Sequence, residues 1–160
     1  MNIFVLDEDP VIAARYLCDK HIVKMIVESF QLLSTVQRKC GNTNDQLYKS
    51  THEKHPCVIW LLKSKANYKW LVKHVDAMHI EYKNRYEKFH TSYTQLWTLV
   101  NQPPLSLPDI GLTDFVLAMP DKYKSLNAVE SYRKYYICEK LKFARWTQPS
   151  SIPFWVLKLE

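Results

Sequence analysis

A chain of 160 residues with 47% hydrophobic side chains can close one real core and leaves little room for a second domain. It has only 2 glycines, and it lacks the run of about 18 apolar residues that a membrane-spanning helix needs, so no membrane partner is expected. The excess of 22 Lys and Arg over 16 Asp and Glu favours an anionic partner, DNA or a nucleotide.

Asn2–Leu6, NIFVL, is rich in branched and aromatic residues and predicts a short strand. Asp7, Glu8 and Asp9 follow, and acids are favoured where a helix begins. With Asp9 as N-cap, Pro10 at the first helical position and Gly41 as stop, the sequence predicts one long helix from Asp9 to Gly41. Ile22, Met25, Ile26, Phe30, Leu33 and Val36 with their apolar neighbours cover most of its circumference, as on a helix enclosed by its own domain. Asp19 falls inside that apolar arc and calls for a partner, an Arg or a Tyr.

His21, Lys24, Glu28 and Gln31 share one narrow seam, because steps of three and four residues stack side chains along a helix. Such a seam is either a thin solvent-facing strip or the wall of a cleft. In a cleft, Glu28, Lys24 and His21 could move protons and hold an anion, and they are the candidate catalytic set.

The polar stretch after Gly41 leads to His52 and His55, a pair in a loop that could line an anion pocket. No Cys or carboxylate pattern completes a tetrahedral set around them, so neither a metal nor another cofactor is expected. Pro56 opens a second helix and Ser64 caps a third, running to His90 with Trp70, Leu71, Val75 and Met78 at helical spacing. Thr91–Val100 predicts a further short helix, and NQPPLSLPDIGLTD an ordered loop. A helical turn ended by Pro120 is expected within Phe115–Tyr123, and Asn127 should cap the last clear helix, AVESYRKYYICEK. The tail FARWTQPSSIPFWVLKLE should wrap the core as an extended strap beside the first strand. The fold expected is mainly α, a single-domain bundle around the N-terminal helix. Gln31, His52, His55, Asn67, Arg85, His90, Arg133, Tyr136 and Lys140 are the candidates for substrate contact. Cys18, Cys40, Cys57 and Cys138 form no C-x-x-C pair, which suits free thiols in a reducing, cytoplasmic setting.

The blocks FVLDEDP, LCDKHIVKMIVES, HEKHPCVIW, DIGLTDFVLAMPDKYK and ESYRKYY resemble those of a family of small phage proteins, which would put this one in a host cytoplasm. A more distant likeness is more informative. CDKH, ending at His21, with Glu28 seven residues on, is similar to the DQH motif and catalytic Glu of phage pyrimidine-dimer DNA glycosylase/AP lyases of the endonuclease V type. SYRKYYICEK is similar to their WYKYYGKA segment. The resemblance implies a compact helical domain whose N-terminal segment passes beside a central helix. It implies an N-glycosidic reaction in which Glu28 stabilises the cationic sugar, with His21 and Asp19 beside it. The family's substrate-binding arginines have no counterpart at Val27 and Gln31, and Lys24 could supply the positive charge. The family's nucleophile is the amine of residue 2. Here that residue is Asn2, before which Met is usually retained, and a Glu28-activated water or Lys24 are the alternatives. A non-catalytic binder of DNA, a nucleotide or a host protein is the competing reading.

Overall fold

The Asp9 carboxylate accepts the backbone N–H groups of Val11 and Ile12, and Pro10 occupies the first position of α1 (Pro10–Tyr16). The computed structural model, which describes residues 1–158, shows that α1 stops there. A new helix, α2 (Asp19–Lys39), starts from Cys18. The single helix expected from Asp9 to Gly41 is therefore two, although neither Gly nor Pro lies at the break.

Tertiary bonds hold the break open. The Arg85 guanidinium donates to the carbonyls of Leu17 (2.8 Å) and Arg15 (3.3 Å), and the Trp146 indole donates to that of Tyr16 (3.1 Å). The Tyr136 phenol accepts the Cys18 N–H at 3.0 Å, and the Arg145 carbonyl accepts the Asp19 N–H at 2.8 Å. Groups that a continuous helix would pair internally are thus satisfied from distant sequence. Asp19 finds its partner in the same cluster, 3.1 Å from Arg85.

α2 lies at the centre, packed against α3 (Pro56–Lys63), α4 (Lys65–Tyr86) and α5 (Thr91–Val100). Ile22, Ile26, Phe30, Leu33 and Val36 are fully buried along it. It ends where Gly41 takes φ +94°, a left-handed turn that suits a residue without Cβ. His55, Ser64 and His90 cap α3, α4 and α5 with side-chain acceptors. α4 is shorter than expected, ending at the left-handed Glu87 (φ +54°) rather than at His90. Asn127 caps α6 (Ala128–Lys140), whose bounds match the sequence reading.

Among the described residues there is no β-strand. Asn2–Leu6 is buried and irregular, and its backbone finds side chains instead of a neighbouring strand. The Asn2 N–H reaches Glu28, the Ile3 N–H reaches the Asn2 side chain, and the Leu6 carbonyl accepts from Arg133. The helical turn expected to end at Pro120 instead follows it, over Asp121–Tyr123, because Pro120 lacks the N–H a helix interior needs and so suits the start of a turn. The C-terminal tail crosses the α1–α2 break through Trp146 and Thr147 and closes with a short helix, α7 (Phe154–Leu157), so it is not extended throughout. The last two residues expected in that strap lie outside those described. No helix among the described residues is long and apolar enough to cross a membrane. The four cysteines are free thiols.

α1 is pinned to α4 by His74, whose Nδ1 meets the Pro10 carbonyl at 2.8 Å while its ring stacks on Trp70. Burial lowers the His74 pKa from 6.5 to about 4, against the opposing pull of that carbonyl. Between those values the unfolded chain takes up a proton that the folded one refuses. This stability is complete above pH 6.5 and is lost as pH falls toward about 4. Urea unfolding compared at about pH 7 and about pH 4.5 should show a smaller acid loss for His74→Gln than for the parent. An equal loss in both would refute this account.

Candidate functional site

The alternating spacing of the α2 seam carries His21, Lys24 and Glu28 to one side of the helix, and there the surface is concave. A cavity of about 140 Å³ is lined by these three with Met1, Asn2, Phe4, Met25, Tyr135 and Lys140. The N-terminal segment forms one wall, α2 the floor, and α6 the opposite wall.

Glu28 is the centre of its polar network. One carboxylate oxygen accepts the Asn2 backbone N–H at 3.3 Å and lies 3.8 Å from the amino group of Met1. The other lies 3.3 Å from Lys24 Nζ, one helical turn back. The Glu28 side chain is only 13% exposed, whereas Lys24 is 67% exposed at the rim. The carboxylate is therefore sheltered but hydrogen-bonded, as a partly buried charge must be.

His21 stacks on Phe4 with ring centroids 4.7 Å apart, and its Nδ1 meets the Tyr136 hydroxyl at 2.7 Å. Its pKa falls from 6.5 to about 4, first through burial and then through the positive charges of Lys140, Lys24 and Lys20. At neutral pH the ring is uncharged. His55 belongs to the same neighbourhood. Burial lowers its pKa, helped by the charge of the N-terminus and by His52, while the Met1 backbone and Glu28 pull the other way. Its Nδ1 accepts the Cys57 N–H at 3.1 Å, which leaves Nε2 as the donor of the neutral ring. Cys57 behind it is buried, and that burial pushes its thiol up to about 12.

The other candidates have different surroundings. Gln31 continues the seam without reaching the cavity lining. His52 is exposed, with Nδ1 2.6 Å from Thr51 Oγ1. Asn67 is fully buried, donating to the Trp60 carbonyl and Thr113 hydroxyl and accepting the Thr113 N–H. The Arg85 side chain has no exposed surface and binds Asp19, Glu81, Ser150 and two main-chain carbonyls. His90 caps α5 and meets the Val23 carbonyl with Nε2. Arg133 bonds Leu6 and Asp7 among the rings of Tyr16, Phe154 and Trp155. Tyr136 is buried behind His21, and Lys140 lies over the Tyr135 ring at the cavity mouth. Met1, Asn2, Phe4, Met25 and Tyr135 were not among the sequence candidates. An N-terminal segment passing beside the central helix was the available signal for the first three.

Four larger cavities, from about 200 to about 600 Å³, contain no residue of the α2 seam. Among the described residues no group of three or more His, Cys, Asp and Glu side chains could hold a metal ion.

The family model for pyrimidine dimer DNA glycosylase matches residues 1–95. The chain belongs to the pyrimidine dimer DNA glycosylase family. No curated protein matches, and no solved structure matches. Membership of the glycosylase family implies an activity on DNA. The matched span holds the N-terminal segment, His21, Lys24, Glu28 and His55. It stops before α6, which brings Tyr135 and Lys140 to the cavity and Tyr136 behind His21.

Proposed function

We propose that this protein cleaves N-glycosidic bonds in damaged DNA at the pocket over α2, with Glu28 as its acid–base group. The observation that carries the reading is the sheltered carboxylate of Glu28, 3.3 Å from the Asn2 main-chain nitrogen in the cavity wall. As a base leaves a sugar, positive charge develops on the ring, and a fixed carboxylate is placed to stabilise it. The attacking group is then either the amine beside Glu28 or a water that Glu28 deprotonates. Lys24 stands in solvent at the rim, where it suits phosphate contact better than attack, because nucleophilic lysines are desolvated.

Size supports DNA over an enclosed nucleotide. Sites that engulf a small molecule run to roughly 300–1,000 Å³. A cavity of about 140 Å³ suits a sugar–phosphate unit presented from outside. The partly exposed ring of Tyr135 lines the cavity, backed by the buried rings of Tyr123 at 5.3 Å and Phe4 at 6.2 Å. Lys122 and Lys140 lie over the two tyrosines. Lysines that can meet phosphates beside the partly exposed Tyr135 ring suit a substrate whose damaged base has left the helix.

The purified protein, incubated with ultraviolet-irradiated duplex, is expected to leave alkali-labile abasic sites at the damaged pyrimidines, and to cut the strand there directly if an amine is the attacker. Borohydride in the same reaction separates the two attackers. An amine leaves an imine that reduces to a protein–DNA adduct, and water leaves none. Irradiated duplex that gains neither alkali-labile sites nor breaks would overturn the reading.

A further inference from the structure

The floor of the pocket contains a hydrogen-bond chain whose direction can be worked out. The Tyr136 hydroxyl accepts the Cys18 N–H at 3.0 Å, a bond that can run only one way. The phenol keeps one proton to donate and one lone pair. The His21 Nδ1, 2.7 Å away, is the one nitrogen or oxygen acceptor bonded to it among the described residues. The Cys18 thiol sulfur beside it is a weak acceptor by comparison. Tyr136 is fully buried, and a buried hydroxyl proton left without an acceptor is costly. The phenol therefore donates to Nδ1, and the proton of the neutral imidazole lies on Nε2.

That Nε2 has no protein partner among the described residues, yet it is not one of the sealed, unpaired atoms of the interior. The ring borders the cavity, so Nε2 opens onto it. The Phe4 ring stacked on one face and the Phe143 ring at 5.6 Å fix the plane of the imidazole. The charged groups facing it are Lys20, Lys24 and Lys140, with Glu28 across the cavity. Three cations around the ring call for an anionic guest and disfavour a fourth positive charge on His21.

We infer that Tyr136 is a positioning residue that holds His21 as the Nε2–H tautomer, so that the pocket floor offers one fixed, uncharged donor to a phosphodiester oxygen beside the damaged nucleotide. The inference rests on the DNA-glycosylase reading above. Lys24 and Lys140 supply attraction without direction, and His21 supplies direction without charge. A phosphate held this way would set which sugar faces Glu28.

The test uses the full chain, labelled with nitrogen-15, and a short duplex containing a reduced abasic site. Long-range proton–nitrogen correlation at about pH 7 should show a protonated Nε2 and an unprotonated Nδ1 at His21. Adding the duplex should move the Nε2–H signal downfield. In Tyr136→Phe the ring should become a mixture of tautomers. His21→Phe keeps the stacking and removes the donor. It should weaken duplex binding about tenfold, equivalent to about 1.4 kcal/mol, with an unchanged slope of log affinity against log salt. Lys140→Ala should flatten that slope by about one unit.

An Nδ1–H or doubly protonated ring in the wild type overturns the inference, and that measurement needs no variant to fold. A flattened slope in His21→Phe, or unchanged affinity, also overturns it. If the Glu28 and Asn2 signals shift on adding duplex while His21 does not, this inference alone fails. If none of the three responds, the glycosylase reading fails with it.

Discussion

Glu28→Gln should lower base release from irradiated DNA by about 10²–10⁴-fold, the range that one positioned acid–base group supplies. The variant is chosen for its shape. Glutamine fills the same volume, and its amide oxygen can still accept the Asn2 N–H that Glu28 accepts at 3.3 Å. What it loses is the negative charge facing the sugar and the ability to exchange a proton. Binding should not suffer, because removing a carboxylate from a pocket lined by Lys24 and Lys140 favours a phosphate. Single-turnover base release and duplex affinity, measured side by side, would therefore separate: a collapse in rate with affinity equal or higher. Full activity in Glu28→Gln would remove Glu28 from the mechanism. Equal losses of rate and affinity would make it a binding residue instead.

The largest stability loss is expected at Arg85. Its guanidinium is wholly buried and binds Asp19, Glu81, Ser150 and the carbonyls of Arg15 and Leu17. Arg85→Met keeps most of the apolar stem but takes the cation from two shielded carboxylates, which keep Thr147 and Ser150 as donors, and the guanidinium from two main-chain carbonyls. Removing one partner from a buried ionic cluster costs about 3–5 kcal/mol, a large share of the roughly 5–15 kcal/mol that holds a domain together. Urea unfolding should show the midpoint falling steeply. Arg133→Met is the control, since that arginine is 22% exposed and pairs with the partly exposed Asp7. Its loss should be smaller, about 1–2 kcal/mol, from a surface-type ion pair and the Leu6 carbonyl that loses its donor. Similar losses at the two arginines would refute the role given to Arg85.

The features legible in the sequence are those whose cause is local. Asp9, Ser64 and Asn127 announce helix starts because a cap needs only a side-chain oxygen and its neighbours' N–H groups. The row from His21 to Glu28 is legible because helical spacing alone brings its members together. The break at Leu17–Cys18 is not, because its backbone groups are satisfied by Arg85, Tyr136, Arg145 and Trp146, far along the chain. Asn2–Leu6 reads as a strand by composition, and the residues are indeed buried, but a strand needs a neighbour that this helical domain does not provide. Asn67, Arg85 and His90 looked like groups for a ligand because sequence cannot distinguish a polar side chain facing a pocket from one that ties two elements together inside.

The interruption between α1 and α2 also bears on when the protein becomes competent. Its fastenings come from α4, from α6 and from the tail beyond it, so the first helices emerging during synthesis cannot set their mutual register. The imidazole of His21 stays unanchored until residue 136 arrives. A ribosome-tethered intermediate should hold Glu28 on a formed helix and still be inert toward DNA, gaining the proposed activity only as the final quarter of the polypeptide folds back.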